Sequence, residues 1–500
     1  MRRTALLALV GALLLAGCGG TLAPATDNPD TPTAGPEEPG DGAVTETATE
    51  PGGDATENGT EMADEPRPDP ETDRLGWENG YWYNDPLPVE NTANLTAEQR
   101  EAVLARAMAR VERVRDLEFN STVAVSVRSR ENASIGGGGD RDPALRSFDN
   151  AKFEAAFLIG EDEDSLSVQQ QSRNQTVAGY YDSEADAIVL VSDSATPTLD
   201  GEGTLAHELT HAIQDQRLNL SVQRRVDTRD GYNGVLGLVE GEANTVQQAY
   251  TARCGEEWTC LSPPDSGEEE DPSAPPNWGT YFLQFFPYSD GPGFIASLRD
   301  GDDWSRVDAA YENPPRSARV VINPDEYGSF EAEDVELGDR ATGGWERVRP
   351  PDRPDYGRLG RSGLGAAFAR TLYDESNRTS LVAAQEWLNL EGGEVNATDP
   401  LNYDLAATRG WTGDRLHVYR NGEELAYVWR LAWESPADAE RFAGAYRALL
   451  SYWGGDRVAE GVWVVEDGPF ADAFRVTVDG SRVTVTNAPT RAGLDEVRAP

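Results

Sequence analysis

Lysine is nearly missing from this chain. Lys152 is the only one, and every other basic residue is an arginine. The 43 basic residues face 88 acidic ones, for a formal net charge of -45 over 500 residues. Such an acid excess excludes nucleic acid as a partner, because a phosphate backbone would be repelled over most of the surface. The acidic residues are spread along the chain instead of gathered in one tail. That pattern fits a halophilic protein kept soluble at high salt, where screening suppresses self-repulsion. Long apolar runs are also lacking: beyond the N-terminus no stretch reaches the ~18 apolar residues of a spanning helix, so no later segment is expected to cross a membrane. Histidine and cysteine each occur three times, so where they fall is informative.

The N-terminus is the one apolar exception. Arg2 and Arg3 precede an apolar run from Ala5 to Ala16, and Gly17 and Cys18 follow. The run is too short to span a bilayer and suits an export signal. Leu15-Ala16-Gly17-Cys18 looks like a lipobox, in which cleavage leaves Cys18 as a lipid-modified N-terminus. The expected address is the outer face of the cell membrane, with the protein exported and held by its lipid. The paired arginines resemble a twin-arginine signal, matched only in part by Thr4-Ala5-Leu6. With Cys18 assigned to lipid, Cys254 and Cys260 remain as a pair, and in an exported protein they are expected to form a disulfide.

Residues 1–18 are thus read as a lipoprotein signal peptide and 19–74 as a disordered acidic tether. The tether is rich in Pro, Gly, Thr, Asp and Glu, and no aromatic residue precedes Trp77. It cannot bury enough apolar surface to offset its ordering entropy. Eight Asn-x-Ser/Thr sequons, at Asn58, Asn94, Asn120, Asn132, Asn174, Asn219, Asn377 and Asn396, are candidate glycan sites in an exported chain.

Folded structure is expected from about Trp77. A helix should start after Thr96, with Gln99 completing a capping box and an apolar stripe at Leu104, Ala107, Val111 and Val114. Strand-like alternation runs from Phe119 to Val127, and Gly136–Gly139 reads as a loop. Val177–Tyr181 and Ala187–Val191 read as a hairpin. The second strand, just upstream of the next helical stretch, reads either as an edge strand able to pair with an extended peptide or as an ordinary sheet strand.

Two of the three histidines fall in Thr204–Leu218, TLAHELTHAIQDQRL. This stretch contains neither Gly nor Pro, and Leu205, Leu209, Ala212 and Ile213 form an apolar stripe, so it reads as a helix. On a helix His207 and His211 lie one turn apart on one face and can share an ion, with Glu208 beside them to hold a water. Two histidines packed in a polar core helix are the bland alternative. At this histidine usage a chance HExxH arises in roughly two of a thousand such chains, so the metal reading is the stronger.

A catalytic zinc needs a third protein ligand and an open position. His417 is a candidate, but Arg415-Leu416-His417-Val418-Tyr419 reads as a strand in a separate C-terminal region. The helix expected over Gly234–Arg253 offers two carboxylates, Glu240 and Glu242, in Glu240-Gly241-Glu242-Ala243. HELTH followed by this second helix resembles the gluzincin zinc metallopeptidases. The resemblance implies a zincin-like domain, a small mixed sheet plus active-site helices, with Zn2+ held by His207, His211 and Glu240. It also implies that Glu208 acts as general base in hydrolysing a peptide or protein substrate. Asn244, one turn on, would support a histidine ligand. Helical geometry keeps Glu242 open as the alternative ligand, since it falls on the more apolar face. Tyr288, Tyr250 and His417 are each candidates to stabilise the oxyanion. The main alternative is a non-catalytic, metal-containing surface binding lipoprotein.

A wider resemblance, over roughly residues 77–460, is to a haloarchaeal group of secreted surface lipoproteins and related bacterial HExxH proteins. It rests on Gly179-Tyr180-Tyr181-Asp182, HELTHAIQDQ, EGEA, Phe286-Pro287-Tyr288, Pro314-Pro315-Arg316-Ser317 and Gly410-Trp411-Thr412-Gly413-Asp414-Arg415. This chain has Asn323 where the relatives often carry a histidine before the proline.

The expected fold class is α+β: a metallopeptidase domain over 75–335, then a C-terminal α+β domain over 336–500. The acidic insertion around Glu268-Glu269-Glu270-Asp271 reads as a solvated loop. In the C-terminal part, helices are expected near Gly363–Leu372, Leu381–Leu388 and Pro436–Ser451. Strands are expected near Leu416–Tyr419, Leu425–Trp433, Val462–Val465 and Phe474–Thr486, the last broken by Asp479-Gly480. Gly410–Arg415 reads as a structural turn.

Overall fold

A computed structural model describes residues 68–89, 91–92, 94–129, 142–176, 179–191, 201–262, 277–374 and 378–499. The signal peptide, Cys18, most of the tether, the Gly136–Gly139 loop, the Glu268–Asp271 insertion and sequons Asn58, Asn132 and Asn377 lie outside these residues. The fold is α+β. No helix among the described residues is long and apolar enough to cross a membrane.

Helix Ala97–Arg115 begins at the expected capping box. Thr96 Oγ1 accepts from Gln99 N at 3.2 Å, and Gln99 Oε1 accepts from Thr96 N at 2.9 Å. This helix packs on the helix Glu202–Ile213, which carries the HELTH motif. The HELTH helix lies against Arg229–Ala252, the EGEA helix, and the EGEA helix lies along Trp278–Leu298. The last two approach very closely at Gly241 and Gly291. A Cβ on Gly241 would sit 2.5 Å from the Gly291 carbonyl carbon, so the glycine of EGEA is required by backbone contact.

A three-stranded sheet flanks these helices. Ala187–Val191 is its middle strand, parallel to Ala124–Arg128 and antiparallel to Gly179–Asp182. Of the two readings open for Ala187–Val191, substrate-pairing edge strand or ordinary sheet strand, the structure shows the second. The strand is apolar at every position and buried throughout, as a strand covered on both faces must be. Gly179–Asp182 lies at the edge instead. Of the expected Phe119–Val127 segment only Ala124–Val127 is strand, and the strand runs one residue further, to Arg128.

The second sheet has seven strands, all antiparallel to their neighbours. Their order is Asp456–Ala459, Val462–Val464, Ala473–Asp479, Arg482–Ala488, Glu424–Trp433, Trp411–Asn421 and Glu346–Arg347. Side chains alternate across it. Tyr427, Trp429 and Leu431 join the main core, while Ala426 and Val428 meet Leu337, Trp345, Leu494 and Val497 on the other face. The helix expected at Pro436–Ser451 forms over Pro436–Tyr452 and packs on this sheet, whereas the helix expected at Leu381–Leu388 is confined to Ala384–Trp387.

The boundary expected at 335/336 does not separate two cores. Helix Gly360–Ala369 packs on the EGEA helix and on Trp278–Leu298, and helix Pro143–Glu154 packs on the large sheet. One buried apolar cluster runs from Leu95 to Val485. The Gly410–Arg415 segment serves this junction. Buried Asp414 accepts from Leu359 N at 2.9 Å, Gly360 N at 3.0 Å and Trp429 Nε1 at 2.9 Å.

Candidate metal centre

The HELTH helix has no side-chain cap at Gly201. Its first turn is fixed instead by Glu202, which accepts from Arg106 at 2.6 Å and Arg110 at 2.5 Å in a buried cluster, and from Leu261 N at 2.9 Å. Tyr250 donates to the same carboxylate, so this oxyanion candidate is engaged in holding helices together. At the other end the expected α-helix to Leu218 is corrected: from Gln214 the chain widens into a π turn, Gln214–Leu218. Such turns locally re-aim side chains.

His207 and His211 share the face turned to the EGEA helix. The two Nε2 atoms are 3.2 Å apart, and Glu240 Oε2 lies 3.3 Å from His207 Nε2 and 3.4 Å from His211 Nε2. His207, His211, Glu208 and Glu240 are all 0–1% exposed. The triangle is almost equilateral. Ligand atoms about 2.0–2.2 Å from a tetrahedral zinc stand about 3.3–3.6 Å from one another, so these three donors fit one such ion. Glu208 Oε1, beside the triangle, is buried and accepts no hydrogen bond, which is the condition of an oxygen awaiting a water.

Two glutamines set the tautomers. Gln214 Nε2 donates to Val239 O at 2.9 Å and Glu242 Oε2 at 3.2 Å, which leaves its Oε1 to accept from His211 Nδ1 at 2.9 Å. Gln247 Oε1 lies 3.2 Å from His207 Nδ1. With protons on both Nδ1 atoms, both Nε2 lone pairs point into the triangle. The histidine support expected from Asn244 is corrected: its amide donates to Tyr288 O at 3.0 Å, tying the EGEA helix to Trp278–Leu298.

Of the two carboxylates held open as third ligand, only Glu240 joins the histidines. Glu242 points to the opposite side, where it pairs with Arg115 and accepts from Tyr311 Oη at 2.5 Å. Glu208 Oε2 accepts from the backbone N–H of Tyr181 at 3.0 Å. Tyr181 Oη in turn contacts Asp186 Oδ1 at 2.9 Å and Asp215 Oδ2 at 3.1 Å, and Gln216 reaches Asp186 and the Ser121 backbone. The Gln214-Asp215-Gln216 run therefore links the HELTH helix to the small sheet.

Burial pushes the Glu208 carboxyl upward; the two imidazoles oppose this and Glu240 adds to it. Burial also lifts Glu240, but His211 and His207 outweigh it and hold that carboxyl at about 2. His211 is lowered by burial and raised further by Glu240 and Glu208, reaching about 9. An ionised acid beside a protonated imidazole is an arrangement that a divalent cation can replace, displacing the proton.

Tyr288 stacks beside His207, with centroids 6.1 Å apart and planes 19° from parallel, and hydrogen-bonds Glu240. His417 lies on the large sheet with its Nδ1 2.8 Å from an Arg347 nitrogen, away from the triangle. Cys254 and Cys260 are disulfide-bonded. Sequence reasoning missed Gln214, Gln247, Glu202 and Tyr181. A glutamine three residues after the second histidine was the one visible clue.

Residues 346–498 match the model of a family described as a domain of unknown function, DUF8575. The match covers the large sheet and contains none of the triangle's residues. No curated protein and no solved structure matches the chain.

Proposed function

We propose that this chain is a zinc-dependent peptidase on a zincin-like plan, exported and anchored to the outer face of the membrane through lipid on Cys18. The observation that carries the reading is the triangle of His207 Nε2, His211 Nε2 and Glu240 Oε2, edged by an unpartnered Glu208 oxygen. Two imidazoles, one carboxylate and a free corner suit zinc better than other common ions.

Bound zinc supplies Lewis-acid polarisation of a carbonyl and acidifies water. Glu208 supplies the proton transfers: Oε1 accepts a proton from the attacking water and delivers it to the leaving amine. The Tyr181 N–H, by holding Oε2, fixes the orientation of that carboxylate. Tyr288 is the only one of the three oxyanion candidates beside the site, and its phenol is the donor for the developing negative charge. Gln214 and Gln247 keep the imidazoles oriented throughout. The substrate is a peptide or protein.

The burial of all four groups favours a second reading, a metal-bearing surface binding protein without turnover. Glu208→Gln separates the two. The hydrolytic reading expects about one zinc per chain in both proteins, with peptide-library cleavage at high salt present only in the unsubstituted one and abolished by chelator. Zinc without cleavage in the unsubstituted protein establishes the second reading. Cleavage that survives both Glu208→Gln and chelation removes the metallopeptidase reading.

A further inference from the structure

A second group of potential ligands lies at the junction between helix Pro143–Glu154 and the large sheet. Glu154 is the last residue of that helix. The chain then turns through Phe157, whose φ of 54° lies in the left-handed region, and emerges at Glu161. Glu161 N donates to Pro469 O at 2.9 Å, and a Cβ on Gly160 would lie 2.7 Å from Pro469 Cβ. This close approach brings both glutamates to Asp472, just before strand Ala473–Asp479.

One carboxylate oxygen from each of Glu154, Glu161 and Asp472 lies within 4.8 Å of the other two. Glu154 and Asp472 are 8% and 6% exposed, while Glu161 reaches solvent. The charges that Glu154 feels are those of the other two acids, with no basic residue among them. Asp472 is positioned by Asn487, whose amide donates to Oδ2 at 2.5 Å.

The separate sign of a missing ligand is Glu154 itself. Its Oε1 is buried and accepts no hydrogen bond, at the centre of a like-charged group. A carboxylate oxygen in that state carries a desolvation cost that neither a donor nor a cationic side chain offsets. A set of three carboxylates supplied by the protein itself suits calcium, which is held by carboxylate oxygens in flexible geometry, better than magnesium, which usually keeps several waters and takes one or two carboxylates.

We propose that Glu154, Glu161 and Asp472 form a calcium site that clamps the turn after helix Pro143–Glu154 onto the large sheet. The buried pair supplies fixed ligands, and Glu161 completes the site from the solvent side. Without the cation, burial and then the neighbouring acids push Glu154 well above the usual carboxylate range. Burial and then Glu161 push Asp472 up to about 8. Calcium removes both penalties by keeping the acids ionised.

The test is calcium titration of the full-length protein, dialysed free of calcium in concentrated NaCl, read by Tm and by luminescence of terbium as the calcium surrogate. The proposal expects a saturable rise in Tm, with magnesium at least tenfold weaker. Asp472→Asn should abolish the response. Glu161→Gln, at an exposed position, should shift the midpoint tenfold or more to higher calcium. An unchanged Tm up to about 10 mM calcium, tenfold above the weakest extracellular calcium modules, overturns the proposal. So does a Glu161→Gln protein that titrates like the unsubstituted one, since binding would then reside elsewhere on the acidic surface.

Discussion

Gln214 and His211 are joined by a hydrogen bond of 2.9 Å, formed where the HELTH helix widens into its π turn. The same amide donates to the Val239 carbonyl, one residue before Glu240. One side chain thus fixes the ring of one corner of the triangle and the helix that carries another. The shape of the triangle is a property of two helices and the amide between them.

Gln214→Ala should lower zinc affinity about 10–100-fold, the usual cost of losing a group that orients a ligand histidine. Competition with a chromophoric chelator measures it. Unchanged affinity would show that the π turn alone holds His211.

The two glutamates of EGEA should fail in different ways. Glu240→Gln should strip the zinc and leave the fold standing. Glu242→Ala should keep the ligand set but strand buried Arg115, at about 3–5 kcal/mol for a broken buried ion pair, towards the lower figure because Asp308 also pairs with Arg115. Metal content and denaturant unfolding of both variants decide it; loss of zinc in Glu242→Ala with the fold intact would reverse the assignment.

Gly241→Ala should destabilise the protein by about 1–3 kcal/mol through overpacking, because the new methyl meets the Gly291 backbone. The expected reading is a lower Tm together with weaker zinc binding, since Glu240 is the adjacent residue. A variant with the parent Tm would mean that the two helices slide apart at little cost.

His417 should make the fold acid-sensitive. Burial, then Arg347 and Arg415, hold its imidazole down at about 3. Unfolded, the ring takes up a proton near its ordinary value of about 6.5, while in the folded state it stays neutral. Acidification below that value therefore favours the unfolded chain, and this contribution to stability is present above about 6.5 and lost progressively towards pH 3. Between pH 7 and pH 4, His417→Gln should lose less Tm than the parent. Equal losses would show that His417 is not buried as described.

The helix bearing HELTH, the capping box at Thr96 and the strands of the C-terminal sheet were legible because each rests on local periodicity or a local hydrogen bond. Glu242 was misplaced as a ligand candidate because sequence assigns a residue to a helix face without showing what that face meets. Here it meets Arg115, which is 127 positions away. Ala187–Val191 reads as a strand from its composition, but a strand's place in its sheet depends on its neighbours, and Ala124–Arg128 pairs from far upstream.

By itself the sequence determined the chain's charge, the i,i+4 pairing of His207 with His211, and a nearby helix with two available carboxylates. These follow from residue identity and helical pitch. Only the tertiary structure decided that Glu240 closes the triangle, that glutamines and not Asn244 orient the rings, and that one core crosses the expected domain boundary. Those outcomes depend on how the helices are rotated and how close they come, set by long-range contacts such as Gly241 against Gly291.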